Sequence, residues 1–212
     1  MMNIGPVFAS FLASEQTSNL VDPVDVTQAC LDLRKHQTKD VYEQEGGWQS
    51  GFIQHPGNLQ PLVDLVMDRA EYLTRNLIKI KPEYPVTLDS WWININDPGV
   101  THEIHNNPPH LHANQFISFV YYPYAKPQCG TLTLSTPSSV QEYIMPRYML
   151  SKDQNEFNST RMHIYPEPGL LVAFPSYLMH HVGANNSGDT RISIAFNIAL
   201  PHQNNSHAKG SE

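Results

Sequence analysis

Arg191-Ile192-Ser193-Ile194-Ala195-Phe196-Asn197 is the stretch on which the fold turns. Apolar and polar residues alternate through it, and in an extended chain residues two apart share a face. Ile192, Ile194 and Phe196 therefore face one way, while Arg191, Ser193, Ala195 and Asn197 face the other. One face belongs to a core. The other begins with a cation, which inside a closed β-structure needs an anion to meet it. A surface arginine on a half-exposed strand needs none, and this segment alone does not choose between the two.

Upstream lies Asn185-Asn186-Ser187-Gly188-Asp189, which is turn composition. Before it comes Phe174-Pro175-Ser176-Tyr177-Leu178-Met179-His180-His181-Val182, entered from the apolar run 170–174. His180 thus falls at a strand end close to the core. Arg191 follows it by eleven residues, about 36 Å in a straight strand. A hairpin turn at 186–188 folds the second strand back beside the first and makes His180 and Arg191 neighbours.

Four histidines, His102, His105, His110 and His112, stand close together further upstream. His110-Leu111-His112 precedes a strand over 116–124, and its spacing lets both imidazoles reach one metal. Taken alone, loop histidines in water explain the pair as well. The order H-x-H, strand, some seventy residues, His, then Arg has few unspecific explanations.

Strands are also expected over 86–96, where Trp91-Trp92-Ile93-Asn94-Ile95-Asn96 alternates, over 131–135, 170–174 and 191–199, and more weakly over 141–148 and 161–165. Residues 1–13 read as a first strand. Two amphipathic helices precede the strands. One spans 25–37, with Val26, Ala29, Cys30 and Leu33 on one face. The other spans 58–80, with Asn58 as N-cap, Pro61 in the first turn, and Leu62, Leu65, Val66, Leu73 and Leu77 as its stripe. Pro82 and Pro85 end it. Residues 41–56 read as loop, broken by Gly46-Gly47. Helices followed by many short antiparallel strands predict a mainly β protein: a jelly roll with N-terminal helices on one sheet. A single domain is expected over 1–200, with helical support at 22–82, a β core at 86–199 and a flexible tail at 201–212.

The 212 residues are 40% hydrophobic and 10% aromatic, enough for a well-filled core. A formal net charge of -7 removes any general attraction to nucleic acid or anionic membrane. Cys30 and Cys129 read as reduced thiols rather than a disulfide framework. The apolar start has no basic residues before it, so it makes a poor signal peptide, and the cytoplasm is the expected compartment.

Four stretches resemble a family of 2-oxoglutarate/iron(II) oxygenases found in marine bacteria and their phages. Residues 110–122 resemble its H-x-H followed by S-x-V-Y-Y. Residues 174–182 and 191–197 resemble its F-P-S-x-L-x-H-x-V and R-I-S-I-x-F-N, and 92–96 its W-x-N-x-N strand. The resemblance covers roughly 86–199. It implies a double-stranded β-helix, iron(II), and oxidative decarboxylation of 2-oxoglutarate to succinate with hydroxylation of a substrate. It implies His110, His112 and His180 as metal ligands, and Arg191, helped by Ser193 and Tyr122, as the holder of the distal carboxylate; Asn94, from the opening strand, joins that co-substrate set. If the protein is phage-encoded, the compartment is the host cytoplasm. The expected partners are a small-molecule or peptide substrate and, for oligomeric state, a homodimer.

One position departs from the wider superfamily, where two histidines join a carboxylate. Here the middle position is His112, and His105 or Glu103 are alternative third ligands. A three-histidine cupin-type metalloenzyme without 2-oxoglutarate explains His112 but leaves Arg191 idle. A jelly-roll binding module explains neither. Substrate choice is expected from the loops 97–107 and 143–160.

Overall fold

The structure is a computed structural model describing residues 9–37, 41–44, 47–98, 110–112, 114–138, 155 and 158–200, the side chains of 42–44 excepted. Helix α1 spans Pro23–His36. The Asp22 carboxylate accepts from the Val24 amide at 2.9 Å, and Pro23 presets the first turn. Arg34, Lys35 and His36 sit in the last turn, where the helix dipole favours cations. Val26 and Cys30 are buried, with Ala29 and Leu33 packed beside them.

Helix α2 spans Gln60–Tyr72, entered through a 3-10 turn at Gly57–Leu59 and leaving through a π turn at Leu73–Leu77. Its Leu62, Val63, Val66 and Ala70 are buried. Two details differ from the sequence expectation. Asn58 lies inside the 3-10 turn and caps nothing; the cap position is Leu59, without a side-chain bond. Leu77 is exposed, because the wider π turn takes the apolar stripe out of phase. Arg75 closes this end by donating to the carbonyls of Lys81 and Tyr84, each at 2.9 Å.

The described residues form ten strands, numbered in chain order: β1 Ala13–Gln16, β2 Tyr42–Gln44, β3 Gly47–Gln49, β4 Thr87–Asn96, β5 Ile117–Tyr124, β6 Leu132–Ser135, β7 Arg161–Ile164, β8 Leu170–Pro175, β9 His180–Val182 and β10 Arg191–Ala199. Seven form one antiparallel sheet in the order β1-β8-β5-β10-β4-β3-β2, and three form a smaller sheet, β7-β6-β9. On the larger sheet Ile192, Ile194 and Phe196 join Ile93, Ile95, Phe119 and Leu171 in a core shared with both helices. Its other face turns Tyr122, Val172 and Phe174 toward Leu132, Leu134 and Ile164 of the smaller sheet. Each such buried side chain contributes about 1.5–3 kcal/mol. Covered on both faces, β8 has no need of alternation, hence Leu170-Leu171-Val172-Ala173-Phe174. The result is a mainly β double-stranded β-helix with the helices on the outside of the larger sheet.

Residues 41–56 are not the loop expected. They hold a hairpin, β2 and β3, that extends the larger sheet past β4, with Trp48 buried opposite Ile95. The reversal between His180 and Arg191 also runs differently. β9 pairs with β6 in the small sheet, and β10 lies between β4 and β5 in the large one, so the two strands belong to different sheets instead of forming a hairpin. Asn185 braces this crossing by donating to the carbonyls of Asn96 and Asp189, at 3.0 and 2.7 Å. Among the described residues the first strand begins at Ala13, and most of the strand expected over 1–13 lies outside them. The expected strand at 141–148, the tail at 201–212, His102, Glu103 and His105, and most of both substrate loops lie outside the described residues. Among the described residues no helix is long and apolar enough to cross a membrane.

Candidate active site

Ser176 and Ser118 prepare the place for the first two histidines. Their hydroxyls meet at 2.9 Å, and Ser118 also donates to Asn197 Oδ1 at 3.0 Å. Each of these three residues comes from a different one of the sequence motifs, and together they tie β5, β10 and the end of β8. The Ser176 carbonyl then accepts from the His112 amide at 2.9 Å. His110 is fixed by a β-bridge to His180.

One imidazole nitrogen from each of His110, His112 and His180 lies within 4.8 Å of the other two. The ring centroids of His110 and His180 are 4.3 Å apart, and His112 stands 5.1 and 5.3 Å from them. His180 Nδ1 lies 2.9 Å from the Leu178 carbonyl. A carbonyl only accepts, so Nδ1 carries the proton and Nε2 keeps its lone pair for a ligand. Burial, with the neighbouring histidines adding to it, pushes His180 down to about 4 against the opposing pull of the Leu178 carbonyl. Burial, then His110, lowers His112. Both are therefore neutral near pH 7, the form a metal requires. Among the described residues no carboxylate joins the group. Three imidazoles on one metal at about 2.1 Å each stand roughly 3 Å apart, so the rings need only close in slightly. The donor set fits a first-row divalent ion.

A second cluster lies on the inward face of the large sheet. Arg191 is only 5% exposed. Its Nη1 donates to the carbonyls of Cys129 at 2.6 Å and Gly183 at 3.1 Å, and its Nη2 to Asn96 Oδ1 at 2.8 Å. All three acceptors are neutral, and Nε has no partner. The Tyr122 hydroxyl, 1% exposed, is likewise unpartnered. Burial drives Tyr122 far up, partly offset by the Arg191 charge beside it. Burial also lowers Arg191. A buried cation and two unmet donors make a cradle for a carboxylate. Ser193 is buried in the next inward position of β10, directly opposite Asn94. The Asn94 Oδ1 accepts from Gln49 Nε2 at 2.8 Å, which leaves its amide nitrogen for another partner. Trp92, two residues further along β4, brings its ring to 6.2 Å from His112.

The structure thus gathers the three histidines in one place and the arginine and tyrosine in another. Sequence reasoning overlooked Asn96, Gln49, Ser118, Ser176 and the carbonyls of Cys129 and Gly183. The signal for Asn96 was its parity with Asn94. The carbonyls had none beyond Gly130, whose φ of +90° admits the close approach.

A family model described as "Putative 2OG-Fe(II) oxygenase" matches residues 90–197, just over half of the chain and all of both clusters. The chain belongs to this family. It is a 2OG-Fe(II) oxygenase, an enzyme dependent on iron(II) and 2-oxoglutarate. Comparison with curated protein sequences found no match. Among solved structures, the 2OG-Fe(II) oxygenase resembles a non-haem α-ketoglutarate-dependent epimerase, SnoN, from nogalamycin biosynthesis (TM-score 0.62, 11% identity, 95% of this chain and 87% of that one). It also resembles a Pseudomonas putida prolyl-4-hydroxylase (0.57, 14%, 90% and 93%). A third likeness is a Trichoplax adhaerens prolyl hydroxylase in complex with a hypoxia inducible factor peptide fragment (0.61, 14%, 89% and 83%). At such identities these likenesses concern the fold.

Proposed function

We propose that His110, His112 and His180 hold one iron(II) and that Arg191, Tyr122 and Ser193 hold the distal carboxylate of 2-oxoglutarate, with Asn94 between the two. The observation that carries this reading is Arg191: a buried guanidinium whose partners are all neutral and whose Nε is unmet. Isolation of a charge at such depth is costly, and a dianionic co-substrate reaching from it toward the histidines removes that cost. When both are bound, iron(II) and 2-oxoglutarate supply the oxidant: the keto acid loses carbon dioxide and becomes succinate, taking one oxygen atom of O2, while the other goes to the substrate. The chain's own part is to present neutral nitrogens, orient the keto acid and keep water out with Phe174, Leu134 and Val172.

The substrate in this reading is a small molecule or a peptide, as in the neighbours named above, and the reaction is hydroxylation in the cytoplasm, or in a host's cytoplasm for a phage-borne copy. Neither nucleic acid nor membrane enters it; a homodimer is compatible with it. The His112 position favours the cupin-type alternative, in which three histidines hold a metal and 2-oxoglutarate has no part. Anaerobic loading with iron(II), then oxygen and 2-oxoglutarate, decides: succinate formed in step with 2-oxoglutarate consumed supports the proposal, and no consumption above protein-free iron sinks it.

A further inference from the structure

Asn96 is the last residue of β4 and pairs directly with Arg191, the first of β10. Its backbone is held from both sides, by the β10 ladder and by Asn185 Nδ2, which donates to its carbonyl at 3.0 Å. Its side chain sits over Gly47 of β3, where a methyl group would stand 3.5 Å from Nδ2. An arginine only donates, so Oδ1 faces Nη2, and the amide is held in that orientation at 2.8 Å. With the carbonyls of Cys129 and Gly183 it makes the third neutral acceptor of the guanidinium. Asp is nearly isosteric with Asn, would fit the same space and would make a stronger bond to a buried cation. The position instead carries the neutral amide.

We infer that Asn96 is a positioning residue that aims the Arg191 guanidinium without neutralising it, so that the charge stays available to an incoming carboxylate. This rests on the proposed role of Arg191. The Asn96 amide fixes the planar fork in direction, while the fork's full charge remains unspent until the co-substrate arrives. A carboxylate at this place would occupy the cation permanently, and the distal carboxylate of 2-oxoglutarate would meet an ion pair instead of a free charge.

The test uses Asn96→Asp and Asn96→Ala beside the natural protein. Three quantities are measured: thermal unfolding of the metal-free protein, Mn(II) affinity, and calorimetric 2-oxoglutarate affinity of the Mn(II)-loaded protein. Expected for Asn96→Asp is a higher unfolding temperature with 2-oxoglutarate affinity reduced tenfold or more and Mn(II) affinity within twofold. Asn96→Ala should lose several-fold in 2-oxoglutarate affinity, as the fork is less well aimed, and gain no stability. A residue that served only to hold the strands together would lower stability in both variants and leave the folded protein's 2-oxoglutarate affinity alone; that result overturns the inference. If Asn96→Asp does not fold, unchanged affinity in Asn96→Ala overturns it by itself. Failure of the natural protein to bind 2-oxoglutarate overturns the proposed function, and this inference with it. Binding that is indifferent to both substitutions overturns only the inference.

Discussion

His110 and His180 exchange both of their backbone hydrogen bonds, at 3.0 and 2.9 Å, across an antiparallel bridge. Two of the three proposed metal ligands are thereby set by main chain, so their imidazoles converge whether or not a metal is there. His112 hangs from this bridge two residues on, with its own amide bonded to Ser176. Its main chain is held by Ser176 and Gln115 instead of by the bridge.

That difference gives the first prediction. His112→Ala should bind iron(II) or Mn(II) at least tenfold more weakly than the natural protein. His112→Asp, which restores the common two-histidine-one-carboxylate set, should keep binding and sustain 2-oxoglutarate turnover without substrate. Metal titration with succinate analysis reads both. An Ala variant with full affinity and full turnover places His112 outside the metal's ligands.

Removing the guanidinium is the second case. Loss of one partner of a buried charged pair costs about 3–5 kcal/mol, so Arg191→Ala should weaken 2-oxoglutarate binding by two orders of magnitude or more while leaving metal affinity nearly intact. Calorimetry on the Mn(II)-loaded variant checks this. Equal co-substrate affinity in the variant would hand the site to the alternative without a keto acid.

The third prediction concerns acid. His180 is held at about 4 by burial, below the ordinary 6.5 of an unfolded chain. The unfolded state therefore takes up its proton first as pH falls. Stability is complete above about 6.5 and declines as pH drops through the window down to about 4, by roughly 3 kcal/mol for this one group. Urea denaturation of the metal-free protein at pH 7.5, 5.5 and 4.5 should trace that loss, and His180→Gln should flatten it. A natural protein equally stable at all three values contradicts the burial argument.

Gly130 supplies the fourth. A Cβ there would lie 2.2 Å from the Gly183 carbonyl oxygen, on a backbone with φ +90°. Gly130→Ala must push apart the two segments whose carbonyls hold Arg191. A stability loss of about 2 kcal/mol or more should come with weaker 2-oxoglutarate binding and unaltered metal affinity. Denaturation and calorimetry together read the pair of effects; retained stability would mean the approach is not needed.

Legibility in the sequence followed the range of the interactions. β10 was readable to its ends, Arg191 and Ala199, because nine residues of strict alternation declare both faces locally. The three histidines were readable because motif order and spacing survive folding. The β2–β3 hairpin was not. Its strands have three residues each, and the burial of Trp48 that stabilises it comes from Ile95, far along the chain. Turn chemistry at Asn185 and Gly188 announced a reversal, but not that the returning strand would enter the opposite sheet. The Arg191–Asn96 pairing joins residues 95 apart, and no periodicity encodes that register.

The crossing between β9 and β10 puts His180 on one layer of the barrel and Arg191 on the other. A molecule held by both is therefore a strut between two walls that are otherwise joined by apolar packing, the connecting chain and the hydrogen bonds of Arg191 and Asn185. Occupancy and rigidity become linked quantities: at a ligand concentration a hundred times the dissociation constant, the strut adds about 2.7 kcal/mol against unfolding. The layers of this enzyme should breathe most freely between turnovers, when the product has left and the next keto acid has not yet arrived. Those are the moments at which a protease would find it easiest to cut.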